Sequence, residues 1–187
     1  MGEGKPPLAA FTVNYHRISH ILSSQIYIAE PFDPKDLTVK QNWLEYVCIW
    51  DTGATGSVIS PKVVSDLKLL PTGKTICNTA GGQVEQNTFL VNIKLPNNVK
   101  FQAVRVTEAP IIGSDALIGM DIISKGDLAV TNKNGITIMS YQWPSGDEID
   151  FVAEINRKKL VPSHSNLSDD EKRKARNRRK KESKKRK

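Results

Sequence analysis

Cysteine is scarce in this chain: Cys48 and Cys77 are the only two among 187 residues. Both fall in apolar, strand-like runs, so the expectation is two reduced core thiols, with no disulfide framework and no cysteine-ligated metal. Histidine is almost as rare. His16 and His20 stand four apart, a spacing that sets two imidazoles on one helical face, yet Arg17-Ile18-Ser19 between them supplies no Glu and no third ligand is obvious. They are read as surface histidines, and no metal or cofactor is expected. No apolar run is long enough to span a bilayer, and no charged-apolar-small leader stands at the start. Met1-Gly2 begins like an acylation site, but Pro6 stands where Ser or Thr is required. The protein is therefore expected to be soluble, with no membrane partner, and cytoplasmic, or nuclear in a nucleated cell.

Positive charge is what the chain has in excess, and it is concentrated. Residues 172–187 hold twelve Lys or Arg against the single acid Glu182, a net +11, while residues 1–171 hold 15 basic against 19 acidic residues, a net −4. The pI near 9.4 describes the tail and not the body. Ser168-Asp169-Asp170-Glu171 is a capping-box pattern able to start a helix through the basic run. Such a helix has no apolar stripe, so residues 168–187 are expected to be a solvated helix or disordered until they meet a polyanion. Two readings stand side by side: a solubilising tail, or a nucleic-acid-binding arm with Lys172, Arg173, Lys174, Arg176, Arg178 and Arg179 as its contacts. No aromatic residue is interleaved, which favours phosphate contacts over base stacking.

The body is organised around Trp50-Asp51-Thr52-Gly53-Ala54-Thr55-Gly56. The apolar run Tyr46-Val47-Cys48-Ile49 reads as a strand leading into this glycine turn, which presents one carboxylate, Asp51, at the strand's end. Gly53 lets backbone pass close to a neighbouring group. Ser60-Pro61 then caps a short helix over about 61–69. Thr79-Ala80-Gly81-Gly82-Gln83 is a glycine-tipped turn between two strand arms, Lys74 to Asn78 and Val84 to Leu95. In the second arm Phe89, Val91, Ile93 and Leu95 alternate with Leu90, Asn92 and Lys94, which predicts one buried face. Asn97-Asn98 predicts a tight turn into a return strand from Val99 to Thr107, with Phe101 and Ala103 on one face. Leu117-Ile118-Gly119 reads as a buried strand running into a helix from Met120 to Lys125, capped by Gly126. Asn134-Gly135 predicts a hairpin between Leu128–Thr131 and Ile136–Ser140. Upstream, Phe11–Tyr15 and Gln25–Ala29 are candidate strands, and 35–42 is a polar connector. Residues 151–160 fit strand or helix equally.

The order Asp-Thr-Gly-Ala, glycine-tipped hairpin, apolar-apolar-Gly and short helix, spanning about Glu45 to Tyr141, resembles the retropepsin-like (retroviral-type) aspartic proteases. Gly119-Met120-Asp121 is more similar to the cellular and bacterial members than to the viral ones, which usually carry Arg after this glycine. The resemblance implies a mainly β fold, a single-lobe acid-protease β-barrel with a flap hairpin and one or two short helices. It divides the chain into an N-terminal extension over 1–20, the protease domain over 21–145, a linker over 146–167 and the basic tail over 168–187. It also implies that Asp51 is catalytic, that Thr52, Gly53, Ala54 and Thr55 form the active-site turn, that Ala80, Gly81 and Gly82 form the flap over a peptide, and that Leu117, Ile118 and Gly119 form a structural loop.

One count then shapes the chemistry. Acid proteolysis needs two facing carboxylates, and the chain holds one Asp-Thr-Gly. The inference is a two-fold homodimer in which Asp51 meets its copy, the pair sharing a proton and activating a water against a peptide or protein substrate. The alternative is a non-catalytic dimerisation module of the same fold with a nucleic-acid-binding tail.

Overall fold

The computed structural model of the chain describes residues 6–32, 41–79, 81–160 and 173. Ala80, the connector through residue 40, and the tail residues Lys172, Lys174, Arg176, Arg178 and Arg179 lie outside the described residues, as do the capping-box residues 168–171. Two units are distinguished, Met1–Gly146 and Asp147–Lys187.

The first unit is mostly strand. In chain order it runs β1 (Ala9–Asn14), β2 (Ser23–Ala29), β3 (Leu44–Trp50), β4 (Val58–Ile59), α1 (Pro61–Asp66), β5 (Gly73–Thr79), β6 (Gly82–Lys94), β7 (Lys100–Glu108), β8 (Ala116–Ile118), α2 (Met120–Ile123), β9 (Asp127–Thr131) and β10 (Ile138–Trp143). Seven strands form one sheet in the order β2-β3-β8-β4-β7-β6-β5, and β2 also pairs with β6 through Tyr27 to Ala29, closing the sheet on itself. Along one edge of β6, residues 82–88 pair with β5 and residues 92–94 with β2. The β5–β6 hairpin therefore extends past the closed part of the sheet as a flap. This is the single-lobe acid-protease architecture that the sequence implied.

Alternation explains which side chains fill the barrel. Ile26 and Ile28 on β2, Tyr46, Cys48 and Trp50 on β3, and Phe89, Val91 and Ile93 on β6 are all buried, as expected for period-two strands with one face inward. Leu95, Ile118 and Ile122 complete the core. Asn92 is a buried polar exception on β6. Its Oδ1 accepts the Ala103 N–H at 2.8 Å and its Nδ2 donates to Glu30 O at 3.3 Å, so a β-bulge of the β6–β7 ladder is internally satisfied. That bulge, with Ala103 at φ 49°, turns Ala103 outward, whereas simple alternation had placed it on the Phe101 face.

Other local expectations are shortened or shifted. The helix expected to reach residue 69 ends at Asp66, because Lys68 takes φ 52° and breaks the helical path. The one expected to reach Lys125 ends at Ile123. Asn134-Gly135 does turn the chain, but inside a 3₁₀ turn over Lys133–Gly135, so β10 starts at Ile138 and not at Ile136. The N-terminal segment, set apart by sequence as an extension, contributes β1, which pairs with β10 residue for residue from Ala9–Trp143 to Asn14–Ile138. With β9 on the other side of β10, these strands form a separate three-stranded sheet. Residues that lack a partner nearby in sequence found one about 130 positions away.

In the second unit, α3 (Phe151–Leu160) settles the strand-or-helix question. Asp150 Oδ1 accepts the Val152 and Ala153 amides at 2.8 and 2.9 Å, and Arg157, Lys158 and Lys159 sit in the last turn, where cations complement the helix dipole. No helix among the described residues is long and apolar enough to cross a membrane.

Candidate active site

Asp51 lies one residue beyond β3 and is brought there by a strand pinned on both sides. β3 pairs antiparallel with β2 and parallel with β8, and the Asp51 N–H continues the second ladder by donating to Ile118 O at 3.0 Å. Its neighbour Trp50 is buried, donates from Nε1 to Ser24 Oγ at 2.9 Å, and packs its ring 5.0 Å from Tyr141 and 5.8 Å from Phe11. Such aromatic pairs contribute about 0.5–1.5 kcal/mol each beyond area burial. The three-stranded sheet, through Phe11 and Tyr141, thus braces Trp50, the residue before the carboxylate.

Within the turn, Asp51 Oδ1 accepts the Gly53 N–H at 2.8 Å, and the Ala54 N–H donates to Asp51 O at 3.2 Å. A Cβ at Gly53 would stand 3.2 Å from Asp51 Oδ1, so glycine is what allows the backbone to hold the carboxylate so closely. Asp51 Oδ2 accepts no hydrogen bond among the described residues, and Thr52 is exposed with no bonded partner. The other described aspartates between β3 and β10 are engaged elsewhere. Asp66 and Asp115 hold Lys62 at 3.4 and 3.2 Å, Asp121 holds Ser57, and Asp127 accepts from Gln142 and the Gly146 amide.

The turn is latched from below by the residues after β8. Met120 N–H donates to Ala54 O at 2.8 Å and Asp121 N–H to Thr55 O at 3.1 Å. A Cβ at Gly119 would meet Gly56 C and O at 2.6 Å. Leu117 and Ile118 belong to β8, so of the three only Gly119 lies in the connection to α2, where it is required by close approach, its φ of −95° being ordinary. Sequence reasoning missed Ser57 and the side chain of Asp121, which bridge the two segments. The signal available was a lone hydroxyl between Gly56 and the apolar Val58-Ile59, opposite an acid directly after Gly-Met.

Val47 and Ile49 share the outward parity of β3, and they line a cleft of about 720 Å³ with Ile21, Ile112, His16 and Arg17. A second cleft of about 300 Å³ lies between the flap strands and Glu108–Pro110. At the flap tip Gly82 adopts φ 112° and Gly81 is exposed. Cys48 is fully buried, and desolvation pushes its thiol up to about 11, which leaves it an inert packing group. His16 and His20 are exposed, and no group of three or more metal-ligating side chains occurs among the described residues.

The solved structures most like this chain include three proteases. A retropepsin-like aspartic protease from Rickettsia conorii has 14% identity over 75% of this chain and 98% of its own, at a TM-score of 0.46. The EIAV protease bound to an inhibitor has 22% identity over 57% and 88%, at 0.41. The Simian Foamy Virus (mac) protease has 16% identity over 54% and 92%, at 0.35. No curated protein matches significantly. Residues 37–122 match the sequence profile of the family described as aspartyl protease, a span that runs from before β3 through the Asp51 turn and the flap to α2. Over these residues, which include the Asp51-Thr52-Gly53 turn, the chain is similar to the aspartyl proteases.

Proposed function

We infer that this chain is an aspartic endopeptidase that acts as a homodimer, with Asp51 of each subunit forming the catalytic pair. The observation that carries this reading is the state of the turn: Oδ1 of Asp51 is held by the Gly53 amide while Oδ2 and the exposed Thr52 are left open at the surface. Two such carboxylates close together ionise in separate steps, because the second negative charge is costly beside the first. The ionised member takes a proton from a water held between them, and the oxygen attacks the peptide carbonyl carbon. The protonated member donates a hydrogen bond to the carbonyl oxygen and stabilises the tetrahedral intermediate. Transfer of a proton to the amide nitrogen then breaks the C–N bond, releasing an acid and an amine. Thr52 supplies a hydrogen bond across the dimer axis, and Gly81 and Gly82 fold the flap over a peptide bound as an added strand. The apolar lining of the larger cleft by Ile21, Val47, Ile49 and Ile112 favours a bulky apolar side chain beside the cleaved bond.

The test is cleavage of a peptide library across acid to neutral pH by the wild type and by Asp51→Asn, with sedimentation to read assembly. Asp51→Asn should stay folded and dimeric and lose all cleavage. Cleavage surviving in that variant refutes Asp51 as the catalytic group, and a wild type that cleaves nothing leaves the non-catalytic module with a nucleic-acid-binding tail.

A further inference from the structure

Ser57 is 2% exposed and sits where the active-site turn enters β4. Its Oγ accepts the Gly119 N–H at 3.1 Å and donates to Asp121 Oδ1 at 2.8 Å. The same Oδ1 accepts the Ile122 N–H at 3.1 Å. One hydroxyl therefore joins the turn that carries Asp51 to the loop that supports it, and one carboxylate oxygen orients that hydroxyl. The backbone bonds Met120 N–H to Ala54 O and Asp121 N–H to Thr55 O lie alongside, and Gly119 permits the contact by having no Cβ.

We propose that Ser57 and Asp121 are positioning residues for Asp51: the Asp121 carboxylate orients the Ser57 hydroxyl, which clamps the supporting loop to the catalytic turn. Asp121 touches no reacting atom, and it acts only through Ser57 and the loop. The physical logic is that the turn has few contacts of its own. Thr52, Gly53, Thr55 and Gly56 are exposed, so the turn's shape depends on what is bonded beneath it. Asp51 is useful in catalysis only if its carboxylate is held to within a fraction of an ångström, since misplacement by about 1 Å can cost roughly a hundredfold in rate. A hydroxyl with donor and acceptor both engaged has one rotamer, whereas backbone bonds alone leave the turn free to shear along β8. The carboxylate is the stronger acceptor for a hydroxyl donor, which is the reason an acid stands here.

This proposal rests on the protease reading, so the experiment separates the two. Asp121→Asn keeps Oδ1 and with it both acceptor bonds, Asp121→Ala removes them, and Ser57→Ala removes the hydroxyl at nearly constant volume. For each full-length variant kcat and KM are measured on a cleaved peptide, and amide hydrogen exchange is followed at Met120 and Asp121 with the β6–β7 amides as internal reference. The expectation is that Ser57→Ala and Asp121→Ala lower kcat about 10- to 100-fold with KM changed less than about twofold. Their exchange at Met120 and Asp121 should rise at least about tenfold while the β6–β7 amides stay as in the wild type. Asp121→Asn should retain kcat within about threefold, and its mildness keeps the test alive where an alanine variant fails to fold. Unchanged exchange at Met120 and Asp121 in Ser57→Ala overturns the proposal, as does an Asp121→Asn variant as impaired as Asp121→Ala. A wild type that cleaves nothing removes the protease reading alone, because the exchange arm still decides whether the clamp exists.

Discussion

Gly119→Ala places a Cβ 2.6 Å from the carbon and from the oxygen of the Gly56 carbonyl and 3.0 Å from Ala54 O. All three atoms are backbone, so no side chain can rotate away. Ordinary contact begins at 3.4 Å, and the supporting loop and the Asp51 turn must separate by the difference, about 0.8 Å. That separation stretches the Met120-to-Ala54 and Asp121-to-Thr55 bonds, now 2.8 and 3.1 Å, beyond useful length. Overpacking costs about 1–3 kcal/mol and each of the two weakened bonds about 1 kcal/mol, so the expected loss is about 3–5 kcal/mol. For a domain of this size that lowers Tm by about 6–20 °C. The same displacement moves the base of Asp51 and should cut kcat by about a hundredfold, more than the stability loss explains at a temperature where the variant is folded. The control is Gly56→Ala, on the other side of the contact: a Cβ there meets nothing within 4 Å, and the change should stay within about 0.5 kcal/mol of the wild type. Thermal unfolding and single-substrate kinetics on both variants decide the matter. A Gly119→Ala protein as stable and active as wild type, or a Gly56→Ala protein equally damaged, refutes the account of the site as a turn resting on an occupied contact.

Two further outcomes follow from other parts of the chain. Removing residues 172–187 should abolish RNA binding by the full-length protein and its steep decline with added salt, measured by fluorescence anisotropy at several salt concentrations; affinity unchanged by the truncation rules out the tail. At alkaline pH, Tyr141 is held up to about 12, first by burial and then by Asp127, against an ordinary 10.0, and Tyr46 is raised in the same direction by burial and Asp66. The folded state thus holds these protons more tightly than the unfolded one, so their contribution is full below about pH 10 and is lost as pH rises through about 12. Thermal melts between about pH 9 and pH 11.5 should show Tm falling, with a shallower slope in Tyr141→Phe, and an identical slope in that variant would contradict the assignment.

The landmarks readable in the chain were those whose cause lies within a few residues. Asp51-Thr52-Gly53 shows itself because an acid followed by glycine at a strand's end has a local geometric meaning. The buried face of Phe89, Val91, Ile93 and Leu95 shows itself because alternation is a property of the strand alone. Asn98 at φ 64° and Gly82 at φ 112° sit where Asn-Asn and Gly-Gly had predicted turns. Less legible were features with causes elsewhere in the fold. Asn92 looks like a polar position on an outward face until the bulge at Ala103 requires its carboxamide inside. β1 looks like a loose end until β10 offers it a full ladder of partners.

The sequence by itself determined the kind of site: one carboxylate, a glycine that lets the backbone hold it, a flap hairpin with a glycine tip, and a strongly basic terminus. Each is a matter of residue type at short spacing, where backbone freedom, side-chain size and charge act directly. Tertiary structure decided what supports that carboxylate. The pairing of β8 with β4 on one side and β3 on the other brings Ser57 beside Asp121, 64 positions later, and presses Gly119 against Gly56; only packing sets Trp50 against Tyr141 and Phe11. Such contacts have no signature at either partner alone, because a hydroxyl, an acid or a glycine becomes part of a clamp only when the fold has closed the distance between them.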